Sequence, residues 1–365
     1  MDGRRGGTST EKTVQAKEYN PLLDSSEDRT PPPIPEPREP LEPPPPSPAR
    51  GRQVVRVLAV VVLGALILVG LGAAAVVITF TQLGDNIPRV SNVFGGLDDS
   101  QRPTHIADRV SFLIMGTDSR QATAQRGDDV LMLARVDVVL DPTNTRASVV
   151  SFPRDSWVNV PDYGPGTIRS AYGLGGPQLL VRTVEGLTQV RVDHFAVIDF
   201  AGFQQMVDAI GGIDLQNAAG GVDHLDGREA LAYVSEGGSD PAGYLDRLRR
   251  QQNALRGLLD KAVSGGALAD PAKLIALLDS LSNTMSLDET LGNATLLGLA
   301  LQMRGLRAST VQFVVSPVRG IGWERGRGVI YLDEGRSGAL WNSLRDDTVA
   351  AYLNQNPGDS LRPTR

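Results

Sequence analysis

The sequence predicts an α/β protein in which a layered sheet carries helices on both faces, behind a single membrane-spanning helix. Short apolar runs alternate with amphipathic segments after residue 105, and one run of 24 residues carries no charge. A hydrophobic fraction of 41% in 365 residues is ordinary for a globular protein, which excludes a wholly disordered chain and a polytopic membrane protein. Cysteine is absent, which excludes disulfides, a cysteine nucleophile and thiolate metal sites.

The N-terminal part predicts a tail and a membrane anchor. Residues 1–53 are predicted to be a disordered cytoplasmic tail, because they hold few large apolar side chains and are mostly proline from 31 to 48. That proline block is interpreted as a spacer, with a ligand motif for a proline-reading domain as the alternative. The transmembrane helix is predicted at 54–80, where residues 57–80 would span ~36 Å at roughly 1.5 Å per residue. A cleavable signal peptide would be shorter and nearer the N-terminus.

Charge around the apolar run predicts its orientation. Arg50, Arg52 and Arg56 precede it, so the N-terminus is expected in the cytoplasm and the C-terminal part outside, in a single-pass protein of the cell membrane. The exterior part is predicted to comprise a stem at 81–104, a domain at 105–355 and a short tail at 356–365. The whole chain has a net charge of −6 and its exterior part is also acidic, so no nucleic-acid partner is expected.

Periodicity and turn residues predict the elements of the domain. Apolar runs that end at glycine or at turn residues indicate strands, and 3.6-residue periodicity indicates helices, one of which has Asp226 as its cap. The predicted strands are 110–115, 130–139, 147–152, 194–199, 311–315 and 329–332. The predicted helices are 176–187, 200–210, 226–234, 245–263, 271–282, 287–306 and 338–353.

Acidic and arginine side chains flank three successive predicted strands. The residues are Asp118 and Arg120 after the first strand, Arg126 and Asp128 before the second, and Arg154 and Asp155 after the third. Loops at strand ends bind ligands in open α/β sheets. Carboxylates there suit Mg²⁺, and the guanidinium fork suits phosphate oxygens. Each pair taken alone is also consistent with a surface ion pair.

A second polar group is predicted on a helix. Arg247, Arg250 and Gln251 stand at i, i+3 and i+4, so they are expected to share one helix face. A solvated basic face is the alternative. The chain has no P-loop, nucleophile-elbow or HExxH motif, and its three histidines do not have the spacing of metal ligands.

These motifs resemble one family. The segments FLIMGTDSR, RGDDVLMLARVD, VVSFPRD, LDGREALAYV and LDRLRRQQ, in this order behind one transmembrane helix, look like the LytR-CpsA-Psr family in its actinobacterial form. The resemblance covers roughly residues 111–252, with a looser tail to about 355. It implies an α–β–α sandwich with a central mixed sheet and a hydrophobic tunnel for a polyprenyl tail. It also implies a phosphotransferase of cell wall assembly that moves a glycopolymer from a polyprenyl-pyrophosphate carrier onto peptidoglycan.

The resemblance assigns roles to the polar residues. Asp118 and Asp128 would bind Mg²⁺, and Arg120, Arg126 and Arg154 would hold and polarise the pyrophosphate. Asp155 would orient Arg154 or help deprotonate the acceptor. Arg247, Arg250 and Gln251 would contact the pyrophosphate from the helix side. Helices 245–263 and 271–282 would line the tunnel, although the same residues suit a plain core.

The chain departs from the family pattern at one motif. Ser235 and Gly237 occupy positions where the family usually has Arg-x-Arg, and Tyr244 follows Gly243 where the family has Gly-Asp. A pyrophosphate held by fewer cations should react less well, since one lost transition-state donor costs ~10²–10³ in rate. A catalytically weakened binder of polyprenyl-linked lipids, or a scaffold of wall assembly, is therefore the alternative to the enzyme.

Overall fold

The computed structural model describes residues 85–117, 128–137, 145–217, 220–236, 241–264, 285–303 and 306–361. The predicted tail and transmembrane helix lie outside these ranges, as does the predicted helix at 271–282. Within the described ranges, no helix combines the length and the apolar composition needed to cross a bilayer.

Thirteen strands and seven α-helices are formed by the described residues. The strands are β1 (Arg89–Val90), β2 (Arg109–Thr117), β3 (Asp128–Asp137), β4 (Ala147–Ser151), β5 (Trp157–Val160), β6 (Gly164–Thr167), β7 (His194–Asp199), β8 (Ile213–Gln216), β9 (Val222–Leu225), β10 (Met285–Asp288), β11 (Val311–Val315), β12 (Val318–Glu324) and β13 (Arg327–Leu332). The helices are α1 (Ile168–Thr188), α2 (Phe200–Ala209), α3 (Gly227–Ser235), α4 (Pro241–Ser264), α5 (Asn293–Met303), α6 (Glu334–Arg345) and α7 (Val349–Gln355).

Seven strands form one mixed sheet in the order β1-β10-β7-β2-β3-β4-β11. The pairs β1–β10, β7–β2 and β4–β11 are parallel, and the pairs β10–β7, β2–β3 and β3–β4 are antiparallel. The central strands are apolar over most of their length because both faces of the sheet are covered. The predicted central mixed sheet is therefore confirmed.

Helices cover both faces of this sheet. Leu113 in β2 belongs to a buried cluster with Leu180 of α1 and Leu340 of α6. Met132 in β3 belongs to the cluster of the opposite face, against which Leu255 of α4 packs. Successive side chains of a strand point to opposite faces, so the two clusters divide the sheet into an α1–α6 face and an α4 face. This is the layered arrangement that the alternating pattern predicts.

Several predicted elements have different bounds in the structure. Helix α1 starts eight residues before the predicted 176–187, at Ile168, because Thr167 caps it and a kink at Gly176, with φ of 64°, lets the chain continue into Pro177. The prediction that residues 338–353 form one helix is wrong. Two helices, α6 and α7, occupy this region, and Asp347 between them adopts a φ of 57°.

One helix prediction failed because tertiary pairing overrides the local pattern. The predicted helix 287–306 begins too early, since Leu287 pairs with Ala196 in the sheet and the helix starts at Asn293. The predicted strand 329–332 is confirmed within β13, which pairs with β12 in a separate hairpin. The hairpins β5–β6 and β8–β9 were not predicted. Their strands are only four residues long, too short for a periodic signal.

A buried carboxylate joins β10 to its neighbours. Asp288 is fully buried and accepts hydrogen bonds from the amides of Phe195 at 3.0 Å and Thr290 at 2.9 Å, and it contacts His194 Nδ1 at 3.2 Å. Burial by itself would raise the pKa of Asp288, but the hydrogen bonds from His194, Thr290 and Phe195 outweigh it and hold the pKa below its ordinary value. The charged carboxylate therefore stabilises this edge of the sheet.

Candidate active site

One end of the sheet collects the strand termini that the sequence marks as functional. Thr117 at the end of β2 pairs with Asp128 at the start of β3, and also with Asp199 at the end of β7. Ser151 at the end of β4 pairs with Val315 at the end of β11. The carboxyl ends of four strands and the amino end of β3 therefore lie at the same end of the sheet, which is where ligands bind in sheets of this kind.

One of the two predicted metal ligands, Asp128, begins a strand at this end of the sheet. Asp118, Arg120 and Arg126 lie outside the described residues. The backbone of Asp128 begins β3 and pairs with Thr117, the residue that precedes Asp118 in the sequence. Carboxylate oxygens are ligands that Mg²⁺ prefers, and the chemistry of this donor pair fits that ion.

Arg154 and Asp155 form a tight turn directly after β4. The Ser156 amide donates to the Pro153 carbonyl at 2.9 Å, which closes the turn. The Asp155 carboxylate contacts Arg154 Nε at 3.5 Å and Arg169 Nη2 at 3.4 Å. Since two guanidinium groups share one carboxylate, the group carries a net positive charge, and its partly exposed side chains are suited to an anion.

Arg169 is a site residue that the sequence predictions missed. Its amide donates to the Arg154 carbonyl at 3.0 Å, and its side chain reaches Asp155 from the first turn of α1. The segment IRSAY lies more than ten residues after SFPRD, and nothing in its periodicity distinguishes this arginine from a solvated one. Only its place two residues after the helix cap Thr167 could have been noticed.

Tyr244 joins this turn to α4. Its hydroxyl accepts a hydrogen bond from the Arg154 amide at 2.8 Å, and the Arg247 guanidinium lies 5.3 Å from the centre of its ring. Burial raises the pKa of Tyr244, so the phenol stays protonated at neutral pH. The sequence marks this residue only as the replacement of an acidic group, whereas the structure makes it the contact between Arg154 and Arg247.

Helix α4 is held against the sheet edge by a buried amide. Gln252 is fully buried, and its Nε2 donates to Ser151 Oγ at 2.9 Å and to the Val314 carbonyl at 2.7 Å. These two bonds fix α4 to the ends of β4 and β11. They therefore set the distance of Arg247 and Gln251 from the Arg154 turn.

Arg250 and Gln251 have different surroundings from Arg247. The Arg250 guanidinium lies 5.2 Å from the centre of the Tyr233 ring and forms an ion pair with Glu236 at 2.5 Å. Gln251 is buried and faces an apolar cavity. The three side chains that were predicted to share one helix face therefore have different neighbours: Arg247 lies at the Arg154 turn, Arg250 beside helix α3 and Gln251 at the cavity.

The departure from the family motif has a structural consequence. Ser235 ends α3, and its hydroxyl donates to the Leu231 carbonyl at 2.7 Å. The next residue, Glu236, brings a negative charge to Arg250 at this position. Gly237 lies outside the described residues. Where the family usually supplies two cations, the described part of this segment supplies a hydroxyl and a carboxylate.

An apolar cavity of about 310 Å³ lies under α4. Its floor is the α4 face of the sheet and its roof is formed by α2, α3 and α4. Gly116 is required in the floor, because a Cβ there would lie 2.8 Å from the Val130 Cβ. The lining residues are Ile114, Gly116, Val130, Met132, Ile198, Phe200, Phe203, Met206, Val234, Gln251, Leu255, Leu258 and Met285. Gln251 is the one polar side chain of this lining, and it comes from the helix turn that follows Arg247.

Fold and site together define a class: a mixed α/β protein with paired arginines at a strand end and an apolar cavity under a neighbouring helix. The sequence model of the LytR_cpsA_psr family matches residues 91–346, which is well over half of the chain. The protein therefore belongs to the LytR_cpsA_psr family.

Two relatives are from Corynebacterium glutamicum. "Probable cell wall biosynthesis protein LcpB" is 32% identical over 68% of this chain and 64% of the relative. "Cell wall biosynthesis protein LcpA" is 30% identical over 60% of this chain and 52% of the relative. The match thus spans less than two thirds of the length of either relative. A teichoic acid transferase of Oceanobacillus iheyensis, TagU, is 28% identical over 61% of this chain and 74% of the relative.

Solved structures share the fold. The crystal structure of B. subtilis TagV superposes with a TM-score of 0.55 at 23% identity, covering 67% of this chain and 98% of that chain. The structure of TagT bound to LI-WTA gives a TM-score of 0.55 at 23% identity, covering 71% of this chain and 99% of that chain.

Proposed function

We propose that this protein is a membrane-anchored extracytoplasmic phosphotransferase that moves a glycopolymer from a polyprenyl-pyrophosphate carrier onto peptidoglycan. The observation that carries the proposal is the position of Gln251, which is both the polar residue of an apolar cavity and a neighbour, on α4, of Arg247 at the Arg154 turn. A lipid carrier needs this combination, because its tail must leave water while its pyrophosphate meets cations. The names of the relatives from C. glutamicum and of TagU support the same activity.

In this proposal the protein mainly positions the reactants and neutralises charge. Arg120, Arg126, Arg154 and Arg247 hold the pyrophosphate, and Arg250 adds to them when it is released from Glu236. Asp118 and Asp128 would hold Mg²⁺, which when bound neutralises charge on the pyrophosphate oxygens.

The transfer step replaces the phosphoanhydride bond of the carrier with a phosphoester bond to the acceptor. The acceptor hydroxyl oxygen bonds to the phosphorus next to the sugar, the bond from that phosphorus to the bridging oxygen breaks, and polyprenyl monophosphate leaves. The hydroxyl proton passes to the Asp155 carboxylate and then to solvent. Arg154 and Arg169 hold that carboxylate in place at 3.5 and 3.4 Å.

A second candidate function is a binder of polyprenyl-linked lipids with little turnover. The Glu236–Arg250 ion pair favours it, because a carboxylate beside the phosphate site weakens both binding and transition-state stabilisation.

The experiment that separates the two uses the full chain in detergent micelles. It is incubated with a polyprenyl-pyrophosphate-linked saccharide and a peptidoglycan fragment, with and without Mg²⁺. Metal-dependent release of polyprenyl phosphate together with a glycan-linked phosphodiester supports the transferase. Saturable lipid binding without release, under conditions where a TagU protein turns over, supports the binder and contradicts the transferase.

A further inference from the structure

A second and larger cleft lies on the opposite face of the sheet from the apolar cavity. This Trp157 cleft has a volume of about 630 Å³, within the roughly 300–1,000 Å³ of ligand pockets. Its lining includes Trp157, Asn159, Arg319, Tyr331, Ser337 and Trp341. Trp341 and Val158, which also lines it, belong to the core cluster of the α1–α6 face, whereas the apolar cavity lies on the α4 face.

The chemistry of the Trp157 cleft fits a carbohydrate. The partly exposed rings of Trp157 and Tyr331 line it, with the buried Trp341 beneath them, and flat aromatic surfaces pack against the C–H faces of sugar rings. Polar groups surround them: the Asn159 amide is exposed, and the Arg319 guanidinium lies 5.4 Å from the centre of the Tyr331 ring. Amide and guanidinium groups donate to sugar hydroxyls and acetamido carbonyls.

Ser337 is an independent sign of a ligand. Its side chain lines the cleft, the residue is only 4% exposed, and its hydroxyl has no hydrogen-bond partner within the part of the chain that the structure describes. Buried hydroxyls in native proteins are normally paired, so this one is suited to a polar group of a bound molecule.

Two helices each contribute a glycine to the lining of the cleft. Gly186 in α1 and Gly338 in α6 both line it, and a Cβ added at either position would meet no atom within 4 Å. Neither glycine has a positive φ, so neither is needed for its backbone conformation. The missing side chains therefore make room at this surface.

The cleft lies next to the Arg154 turn in the chain. Trp157 follows Asp155 by two residues, and the Ile330 amide of the β12–β13 hairpin donates to the Asp155 carbonyl at 2.9 Å. In phosphoryl transfer the attacking and leaving oxygens lie roughly in line on opposite sides of phosphorus. A leaving lipid phosphate on the cavity side requires an acceptor that approaches from the other side, and the Trp157 cleft lies there.

We propose that the Trp157 cleft binds the acceptor glycan, a chain of N-acetylated amino sugars, and presents one of its hydroxyls to the Arg154 turn. This inference rests on the proposed transferase function and adds the acceptor subsite to it. The hydroxyl enters from the α1–α6 face while the polyprenyl chain occupies the α4 face.

The test fills the cleft without touching the phosphate site. Gly338→Leu and, separately, Gly186→Leu place a side chain in the cleft, and Gly173→Leu in α1 is the matched control, since a Cβ there also meets nothing and Gly173 does not line the cleft. The full chain in detergent micelles is titrated with a β-1,4-linked N-acetylglucosamine hexamer and, separately, with a polyprenyl-pyrophosphate-linked saccharide. Transfer to a peptidoglycan fragment gives the acceptor KM.

We expect the two cleft variants to weaken hexamer binding and raise the acceptor KM by about tenfold or more, with lipid affinity changed by less than about twofold. Gly173→Leu should match the unaltered protein. Unchanged hexamer affinity in both cleft variants overturns the inference, as does binding of a free stem peptide without binding of the hexamer.

The outcomes also separate this inference from the transferase function. If transfer persists with an unchanged acceptor KM in both variants, the acceptor role of the cleft is refuted and the transferase function is supported. If hexamer binding depends on the cleft but the chain never transfers, the cleft is a glycan site and the transferase function is refuted.

Discussion

Replacing Tyr244 by phenylalanine should separate the position of Arg154 from the stability of the fold. The substitution keeps the ring, which is 7% exposed and packs with Leu248 and Ile330, and removes only the oxygen that accepts the Arg154 amide at 2.8 Å. A partly buried amide then loses its acceptor, which costs about 1–2 kcal/mol. At roughly 2–4 °C per kcal/mol for a domain of this size, the Tm should fall by about 2–8 °C.

The effect on transfer should exceed the effect on folding. The Arg154 carbonyl would still accept the Arg169 amide at 3.0 Å, but the Arg154 amide would lose the acceptor that Tyr244 supplies. A guanidinium displaced by a fraction of an ångström loses much of its transition-state contact, so we expect kcat to fall by about tenfold with little change in lipid affinity. The assay is polyprenyl phosphate release by the full chain in micelles, well below both melting temperatures.

Tyr352→Phe is the matched control. Tyr352 is also a buried tyrosine, and its hydroxyl donates to Asp359 at 2.6 Å, away from the Arg154 turn. It should lose at least as much stability and keep its transfer rate. A native transfer rate in Tyr244→Phe, or an equal loss in Tyr352→Phe, would refute the positioning role.

Alkaline pH gives a second measurement on the same residue. Burial raises the pKa of Tyr244, so its contribution to stability is complete below about pH 10, the unfolded value, and is lost as pH rises through the higher native pKa. The Tyr244→Phe variant should lack this component of alkaline destabilisation. Identical alkaline unfolding profiles for the two proteins would contradict the assignment.

Three further perturbations test the core, the cavity and the missing cations. Asp288→Asn should lower the free energy of unfolding in urea by about 3 kcal/mol at pH 7. Because the native pKa of Asp288 is lowered, this difference in unfolding free energy should shrink as pH falls below about 4. A difference that does not change with pH would contradict this role of Asp288. Leu258→Trp should fill the cavity and weaken binding of polyprenyl pyrophosphate by about tenfold without affecting inorganic pyrophosphate, whereas Trp at exposed Leu174 should change neither. Glu236→Gln should release Arg250 and tighten pyrophosphate binding at low salt only, and weaker binding would show that Arg250 does not face the phosphates.

Local sequence patterns predict structural elements correctly where the stabilising contacts join residues that are close in the chain. Asp226 was predicted as a helix cap, and it forms a complete capping box with Glu229. The strand at 194–199 was predicted at its observed bounds. The helix predicted at 287–306 failed because Asp288 accepts the amide of Phe195 in β7, a contact made across 93 residues of chain.

The candidate site residues also divide into those that local sequence patterns predict and those that depend on contacts between distant segments. Arg154 and Asp155 could be selected because they follow an apolar strand directly, and a strand end is a local feature. Arg169 could not, since the chain brings it to Asp155 only after α1 has folded against the sheet. The different surroundings of Arg247 and Arg250 were equally inaccessible, because helical spacing gives the angle between two side chains but not the neighbours on either side.

The sequence by itself determined the alternation of strands and helices, the family, and the residue types that the proposed anionic lipid substrate requires. Tertiary structure decided how those residues combine: Tyr244 between Arg154 and Arg247, Gln251 in the cavity wall, and the Trp157 cleft on the opposite face of the sheet. The physical reason is that periodicity and capping report the burial and hydrogen bonding of nearby residues. Cavities and shared carboxylates arise between segments far apart in the chain, and their positions depend on how whole helices pack on the sheet.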